Sequence, residues 1–298
     1  LQREISKPPI MVITRLSGGL GNQMFQYAAG LQIAMHFEVP LKLDLAWYET
    51  QSKRSYRLNC FNHQAEIAKQ KEIEEVKHSA DQRSKAFLKW RYRKAAVIKE
   101  QSFSYSPDIF KKAEPNTFLM GYWQSERYFE HIRETLRNHF TPKDRYKSQV
   151  ENTTKEIKSH KHAVSIHIRR GDYVHEPSTN AYHGVCSLDY YRKAIQKLAA
   201  EYENIELFLF SDDIPWAKNN LKTVANVHYI TDFQHKHPVC DMYVMSFCRH
   251  HIIANSSYSW WGAWLQEAPD STVIAPKNWF ADNTVDTSTL IPERWNKI

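Results

Sequence analysis

The second half of the chain alternates between two textures, and this alternation limits the fold more than any other feature. Five short runs rich in β-branched and aromatic residues, at 163–168, 205–210, 226–230, 251–254 and 272–275, are separated by stretches with helical spacing at 188–203, 214–222, 239–249 and 258–266. Strand followed by helix followed by strand is the signature of βαβ units and hence of a parallel sheet. Leu207-Phe208-Leu209-Phe210 and Ile252-Ile253-Ala254 are apolar without interruption, as strands covered on both faces must be. A Rossmann-like domain is expected here.

The first half begins in the same way, with a strand at 11–16, a glycine-bearing turn, a helix at 22–36 and a strand at 41–45. Further on, the pattern predicts a strand at 56–61, a long charged helical region at 64–94, a strand at 117–122 and a helix at 125–139. The polar segment 141–160 reads as a link. The expected organisation is two α/β domains, 11–155 and 156–298, meeting at a hinge with a cleft between them. Residues 1–10 read as a tag or other non-native extension, or as a trimmed stem, because Met11 stands directly before the first strand. A length of 298 residues suits two domains, which usually run about 100 to 150 residues each.

A formal net charge of +7 fits nucleic acid, an anionic membrane surface or a phosphorylated small molecule. The basic residues are dispersed. Their one local excess, 85–99, has helical spacing and reads as a solvated helix face rather than a tail. No nucleic-acid-binding module is recognisable, so nucleic acid is not an expected partner. No run approaches the roughly 20 apolar residues that an integral span requires, and 1–10 is too polar for a signal peptide. Peripheral association is the membrane role left open. Cys60, Cys186, Cys240 and Cys248 show no paired or metal-type spacing and read as reduced core thiols of a cytosolic protein. His235 with His237, and His250 with His251, have no further ligand at metal-site spacing, so no metal is expected.

Four segments carry candidate chemistry. In His167-Ile168-Arg169-Arg170-Gly171-Asp172, two arginines follow a buried-type strand. At the carboxyl end of a parallel strand, where open α/β sheets bind ligands, guanidinium forks suit a diphosphate; the alternative is a surface pair entering a Gly-Asp turn. Leu16-Ser17-Gly18-Gly19-Leu20-Gly21-Asn22-Gln23 puts three glycines in a strand-to-helix turn. Gly19 and Gly21 let the backbone approach a donor, and Asn22 and Gln23 can hydrogen-bond a sugar or phosphate; equally, the turn needs a positive φ. Ser211-Asp212-Asp213 either holds a hard cation or caps the next helix while hydrogen-bonding a ligand, and the second reading is carried forward. In the run from Asn255 to Leu265, Ser256 and Ser257 suit phosphate contacts, whereas Trp260, Trp261 and Trp264 suit packing on one helix face. Asp241 is read as a helix cap or as an acceptor for a purine's paired N–H donors.

In order along the chain, Gly18-Gly19-Leu20-Gly21-Asn22-Gln23-Met24-Phe25-Gln26-Tyr27-Ala28, Gly121-Tyr122-Trp123-Gln124-Ser125-Glu126, the His167 hexapeptide, Ser211-Asp212-Asp213 and the Asn255 run resemble the α-1,2-fucosyltransferases. The resemblance covers nearly the whole chain from Met11. It implies a GT-B-like fold of two Rossmann-like domains facing each other across a cleft, with the donor on the C-terminal one. It implies GDP-fucose as donor, a galactose-terminated oligosaccharide as acceptor, inversion at the sugar, and neither metal nor other cofactor. Arg169 would grip the β-phosphate, His167 and Asp241 would meet guanosine, Ser256 and Ser257 the phosphates, and Asn22 the departing glycosidic oxygen and the fucose. Arg170 would organise its loop through Asp172 or meet the sugar. Asp172, His175 and Glu176 remain unranked as the proton acceptor, and some related enzymes lack a dedicated base. A fucosyltransferase of other regiochemistry and a non-catalytic sugar-nucleotide- or glycan-binding module are the rival readings. The start close to Met11 resembles the bacterial members, which implies a cytoplasmic protein at the inner face of the membrane and a setting in O-antigen assembly.

Overall fold

The computed structural model describes residues 10–51, 53–84, 95–171, 174, 181–231, 237–282 and 284–298, with 82–84 described as backbone only. The chain divides into two compact units, Leu1–Phe140 and Thr141–Ile298.

The first unit contains strands β1 (Val12–Arg15), β2 (Leu41–Asp44), β3 (Glu66–Ile67), β4 (Ala95–Lys99) and β5 (Asn116–Met120), with helices α1 (Leu20–His36), α2 (Ala46–Glu49), α3 (Gln70–Ser84), α4 (Asp108–Lys112) and α5 (Arg133–His139). The sheet order is β3-β2-β1-β5-β4, and every pairing is parallel. Val12 and Ile13 are fully buried at its centre. Sequence order reverses between β1 and β5, so the loops leaving those two strands diverge.

Several expectations for this unit are corrected. Residues 56–61 do not form a strand. Leu58–Cys60 is a 3-10 turn, because the Gln23 side-chain oxygen takes the Arg57 and Leu58 N–H donors, at 2.8 and 3.2 Å, that a ladder would need. The charged region 64–94 holds the short strand β3 and the helix α3 rather than one long helix; residues 85–94 lie outside the described residues. Residues 95–99, the end of the basic stretch read as helical, are strand β4 in full register with β5. The helix expected over 125–139 shrinks to two 3-10 turns and α5. Phe129 leaves helical geometry at φ −150°, as adjacent Tyr128 and Phe129 are both buried.

The second unit contains β6 (Ala163–Ile168), β7 (Glu206–Ser211), β8 (Asn226–Tyr229), β9 (His250–Ile252), β10 (Val273–Ala275) and β11 (Asn296–Lys297), with helices α6 (Asp144–Lys147), α7 (Glu151–Ser159), α8 (Leu188–Glu201), α9 (Ile214–Asn220), α10 (Pro238–Met245) and α11 (Ser257–Trp264). Its sheet order is β11-β10-β9-β6-β7-β8, all parallel. Val164, Ile166, Leu207, Leu209 and Ile252 pack with Tyr191, Ala194 and Leu198 of α8 in one core. Ser187 starts α8 as its cap, accepting from the Tyr190 N–H. The segment expected to be a link, 141–160, is instead mostly helical and belongs to this unit, with Val150 and Ile157 in its interior. The division therefore falls ahead of the boundary expected after residue 155.

Candidate active site

Parallel pairing puts every strand's carboxyl end on one edge of the second sheet. The order reverses between β6 and β9, and such switch points open crevices in α/β sheets. β6 delivers His167, Arg169 and Arg170 there, β7 delivers Asp212 and Asp213, β9 leads to Asn255 and Ser256, and the first turn of α10 brings Asp241.

The arginines have different partners. Arg169 Nη1 lies 2.7 Å from Asp212 Oδ2, both side chains about a quarter exposed. The second Asp212 oxygen accepts the Arg170 backbone N–H at 2.8 Å. Arg170 Nε reaches Asp213 Oδ2 at 3.3 Å, and its guanidinium lies 3.7 Å from the centre of the Trp216 ring. Asp213 also caps α9 by accepting the Trp216 N–H. Arg170 is thus anchored by Asp213 and Trp216; Asp172, through which it was expected to organise its loop if it does not meet the sugar, lies outside the described residues, as do His175, Glu176 and His235. Gly171 is required by close approach, since a Cβ there would stand 2.5 Å from Asp212 Oδ2 and push it off Arg169.

His167 is 6% exposed, and its Nδ1 is buried with no hydrogen-bond partner. Burial pushes its imidazole down to about 4, with Asp212 opposing and Arg169 assisting, so the ring is neutral at neutral pH. It stands 5.7 Å from the Tyr258 ring, whose hydroxyl donates to the Pro238 carbonyl at the start of α10. Asp241 is not a cap: His237 caps α10, its ring nitrogen accepting the Val239 N–H. Asp241 Oδ1 is instead buried without a partner, and burial raises the carboxyl to about 7. A buried carboxyl oxygen without a partner can, when the group is ionised, accept a ligand's N–H donor.

Ser256 caps α11 by accepting the Tyr258 N–H at 3.4 Å, and Ser257 is the helix's first residue. Trp260, Trp261 and Trp264 are fully buried. Truncating any of them would cost about 3–5 kcal/mol, so they pack, as expected. Asn255 is a bracket: its Nδ2 donates to the His183, Gly184 and Trp279 carbonyls. The histidine pair is also structural, with His251 facing Ser165 at 2.7 Å and His250 facing His162 at 3.3 Å. All four cysteines are free thiols. Among the described residues, no three His, Cys, Asp or Glu side chains are grouped to hold a metal ion, and no helix is long and apolar enough to cross a membrane.

The first unit's carboxyl edge carries the glycine turn at its own switch point. Gly18 has φ +72°, and its carbonyl accepts from Tyr48 Oη and Gln23 Nε2. The Gln23 amide bonds four backbone groups, the Gly18 and Ser55 carbonyls and the Arg57 and Leu58 N–H groups, which speaks against the ligand role expected for it. Above Gly19 the nearest atom to a built Cβ is Arg54 Nη1 at 3.9 Å, which leaves the backbone approachable; Gly21 is buried in the first turn of α1. Asn22 lies over Gly18, and its Oδ1 accepts from Gln124 Nε2 at 2.9 Å. Gln26 ties the same two loops, bonding both Ser17 and the Gly121 carbonyl. Sequence reasoning assigned no role to Gln26, Gln124 or Glu100. The available signal was that Glu100 and Gln124 each follow a strand closely.

The sequence profile of Glycosyl transferase family 11 matches residues 3–298. An alpha-1,2-colitosyltransferase of Escherichia coli is 34% identical over 293 residues, covering 97% of this chain and 99% of that protein. The O-antigen biosynthesis glycosyltransferase WbnK, also of E. coli, is 30% identical over 301 residues, with coverages of 94% and 98%. Among solved structures, fucosyltransferase NodZ from Bradyrhizobium has a TM-score of 0.53 at 14% identity, covering 87% of this chain and 94% of its own. That likeness establishes the fold: α/β, GT-B-like, with two Rossmann-like units.

Proposed function

From the premise that the chain belongs to glycosyltransferase family 11, we propose that it moves L-fucose from GDP-β-L-fucose to the 2-hydroxyl of a terminal β-galactoside, with inversion and without a metal. The observation that carries this reading is the Arg169–Asp212 pair at the carboxyl ends of β6 and β7, beside the β6/β9 switch point. The acceptor O2–C1 bond forms as the C1–O bond to the β-phosphate breaks, and the bonding electrons leave with GDP. The barrier therefore falls when positive charge is already aimed at the leaving phosphate oxygen. Arg169, oriented by Asp212, supplies it; the N-terminal turn of α11 at Ser256 and Ser257 adds backbone dipoles. Asp241 and neutral His167 meet the guanosine. The resemblance assigns Asn22, which Gln124 holds, to the transferring sugar. The acceptor's proton passes to Asp172, His175 or Glu176, or to solvent. A setting in O-antigen assembly agrees with the name of the WbnK relative.

The relative named as a colitosyltransferase supports a second reading with the same linkage. Colitose is fucose without its 3-hydroxyl, so the two donors differ by one hydrogen-bonding group, and a site built to bond that hydroxyl rejects the deoxy sugar strongly. A galactoside acceptor incubated with GDP-fucose and with its 3-deoxy counterpart, each with and without EDTA, separates the readings. The expected result is faster transfer from GDP-fucose at a rate EDTA does not change. Preference for the deoxy donor would establish the second reading, and EDTA inhibition reversed by Mn²⁺ would overturn metal independence.

A further inference from the structure

Glu100 follows β4 directly, and its backbone N–H bonds the Met120 carbonyl at the end of β5. Its side chain turns onto the next loop. Oε2 accepts the Tyr122 N–H at 2.6 Å and Oε1 the Trp123 N–H at 2.9 Å. Trp123 is a non-glycine residue at φ +56°, a conformation that persists only where its surroundings enforce it. It is 3% exposed and followed by buried Gln124 and Ser125; the Ser125 N–H closes the turn on the Trp123 carbonyl at 2.8 Å. Gln124 then reaches back to Asn22.

We infer that Glu100 is a positioning residue for transfer: its carboxylate clamps the two N–H groups that hold the 121–123 turn, and through that turn it sets Gln124 against Asn22. The inference rests on the role proposed above for Asn22. It also accounts for an acid where the turn needs two acceptors on separate atoms, a demand that a carboxylate meets and an amide does not.

The clamp titrates. Burial raises the Glu100 carboxyl to about 7, against the pull of its two backbone donors. Among the described residues, the titratable group facing it is Tyr128, whose phenol the Glu100 charge helps to raise. Behind that lies Tyr105, its ring 4.8 Å from Tyr128, while Lys99, next in the chain, acts on Lys77. The unfolded carboxyl titrates near 4.3, about the usual value. The folded pKa is thus raised, so the stability contributed by protonation is full below about pH 4 and is lost as pH rises through about 7. The ionised form that clamps the turn is the less stable form of the protein.

This opposition gives the test. Full-length wild type and Glu100→Gln are assayed for transfer from saturating GDP-fucose to a galactoside between pH 5.5 and 9, with Tm measured in the same buffers. The wild type should lose kcat with the slope of one proton below about pH 7. Glu100→Gln, fixed in the equivalent of the protonated state, should have kcat lowered by about 30-fold at pH 8, as expected for a misplaced reacting group, no kcat limb near 7, and a donor KM within about twofold. Its Tm should exceed that of the wild type at pH 8 by ~3–5 °C, with the gap about halved at pH 5.5. A variant with wild-type kcat and the same limb overturns the inference, as does one that loses kcat and Tm together at pH 8. If the variant does not fold, the wild type decides: a kcat flat from pH 8 to 6 overturns the clamp. Absence of transfer by the wild type at every pH overturns the proposed function, an outcome distinct from transfer whose kcat does not titrate.

Discussion

Replacing Arg169 with alanine is expected to lower kcat/KM for transfer by about 10³-fold, roughly 4 kcal/mol of transition-state stabilisation, with little change in Tm. The two parts of this expectation have different origins. In the resting protein Arg169 makes an ion pair with Asp212 and is a quarter exposed, and pairs of that kind contribute about 0–1 kcal/mol to stability. In the proposed transfer the same guanidinium would meet a phosphate oxygen whose negative charge grows as the glycosidic bond breaks, so its attraction would be larger in the transition state than in the ground state. Arg169→Lys should recover only part of the loss, because an ammonium lacks the planar fork. Steady-state kinetics with a thermal melt check both parts. Retention of most activity by the alanine variant would remove Arg169 from its assigned role.

The second large effect is expected at Asp241. Its buried, unpartnered Oδ1 suits the adjacent N1–H and N2–H donors of guanine. Asparagine would keep one acceptor and set an N–H₂ group against a donor. Asp241→Asn should therefore cost about 10²-fold in kcat/KM for the donor, through KM, in line with about 1–3 kcal/mol for leaving a buried polar group unsatisfied. The sign of the pH dependence follows from burial, which holds the free carboxyl near 7. Only the ionised form accepts both donors, so GDP affinity should rise as pH increases through about 7 and weaken below it. Calorimetric titration of GDP from pH 5.5 to 8.5 checks this. A slope that persists unchanged in Asp241→Asn would assign the titration to another group. The Glu100 effect appears in kcat at saturating donor, so the two titrations separate by parameter.

The second sheet was legible in the sequence because its central strands are buried on both faces. Leu207 to Phe210 carry no polar residue to blur the pattern, and β6 has the expected bounds. Edge strands lack that signal. β3 is two exposed residues, and β4 alternates Ile98 inward with Val97 and Lys99 outward inside a basic stretch. Sheet pairing, which depends on partners distant in sequence, decided both. The polar edge was legible as a place but not as a division of labour. Asn22, Gln23 and Gln26 carry similar carboxamides, yet Gln23 is spent on Arg57 and Leu58 and Gln26 on Ser17 and Gly121, while Asn22 meets Gln124. Which amide meets which backbone group is a tertiary fact. Glu100 was invisible for the same reason: its environment is made by a turn that begins at residue 121.

The central claim is that the arginine-bearing edge of the second sheet serves transfer of a GDP-bound sugar to a galactose 2-hydroxyl. It is tested most directly by incubating the protein with GDP-fucose and a terminal β-galactoside and determining by NMR the linkage and anomeric configuration of the product. The account predicts α-L-fucose joined to O2 of galactose. Fucose joined at any other hydroxyl, or the β-anomer, would contradict it.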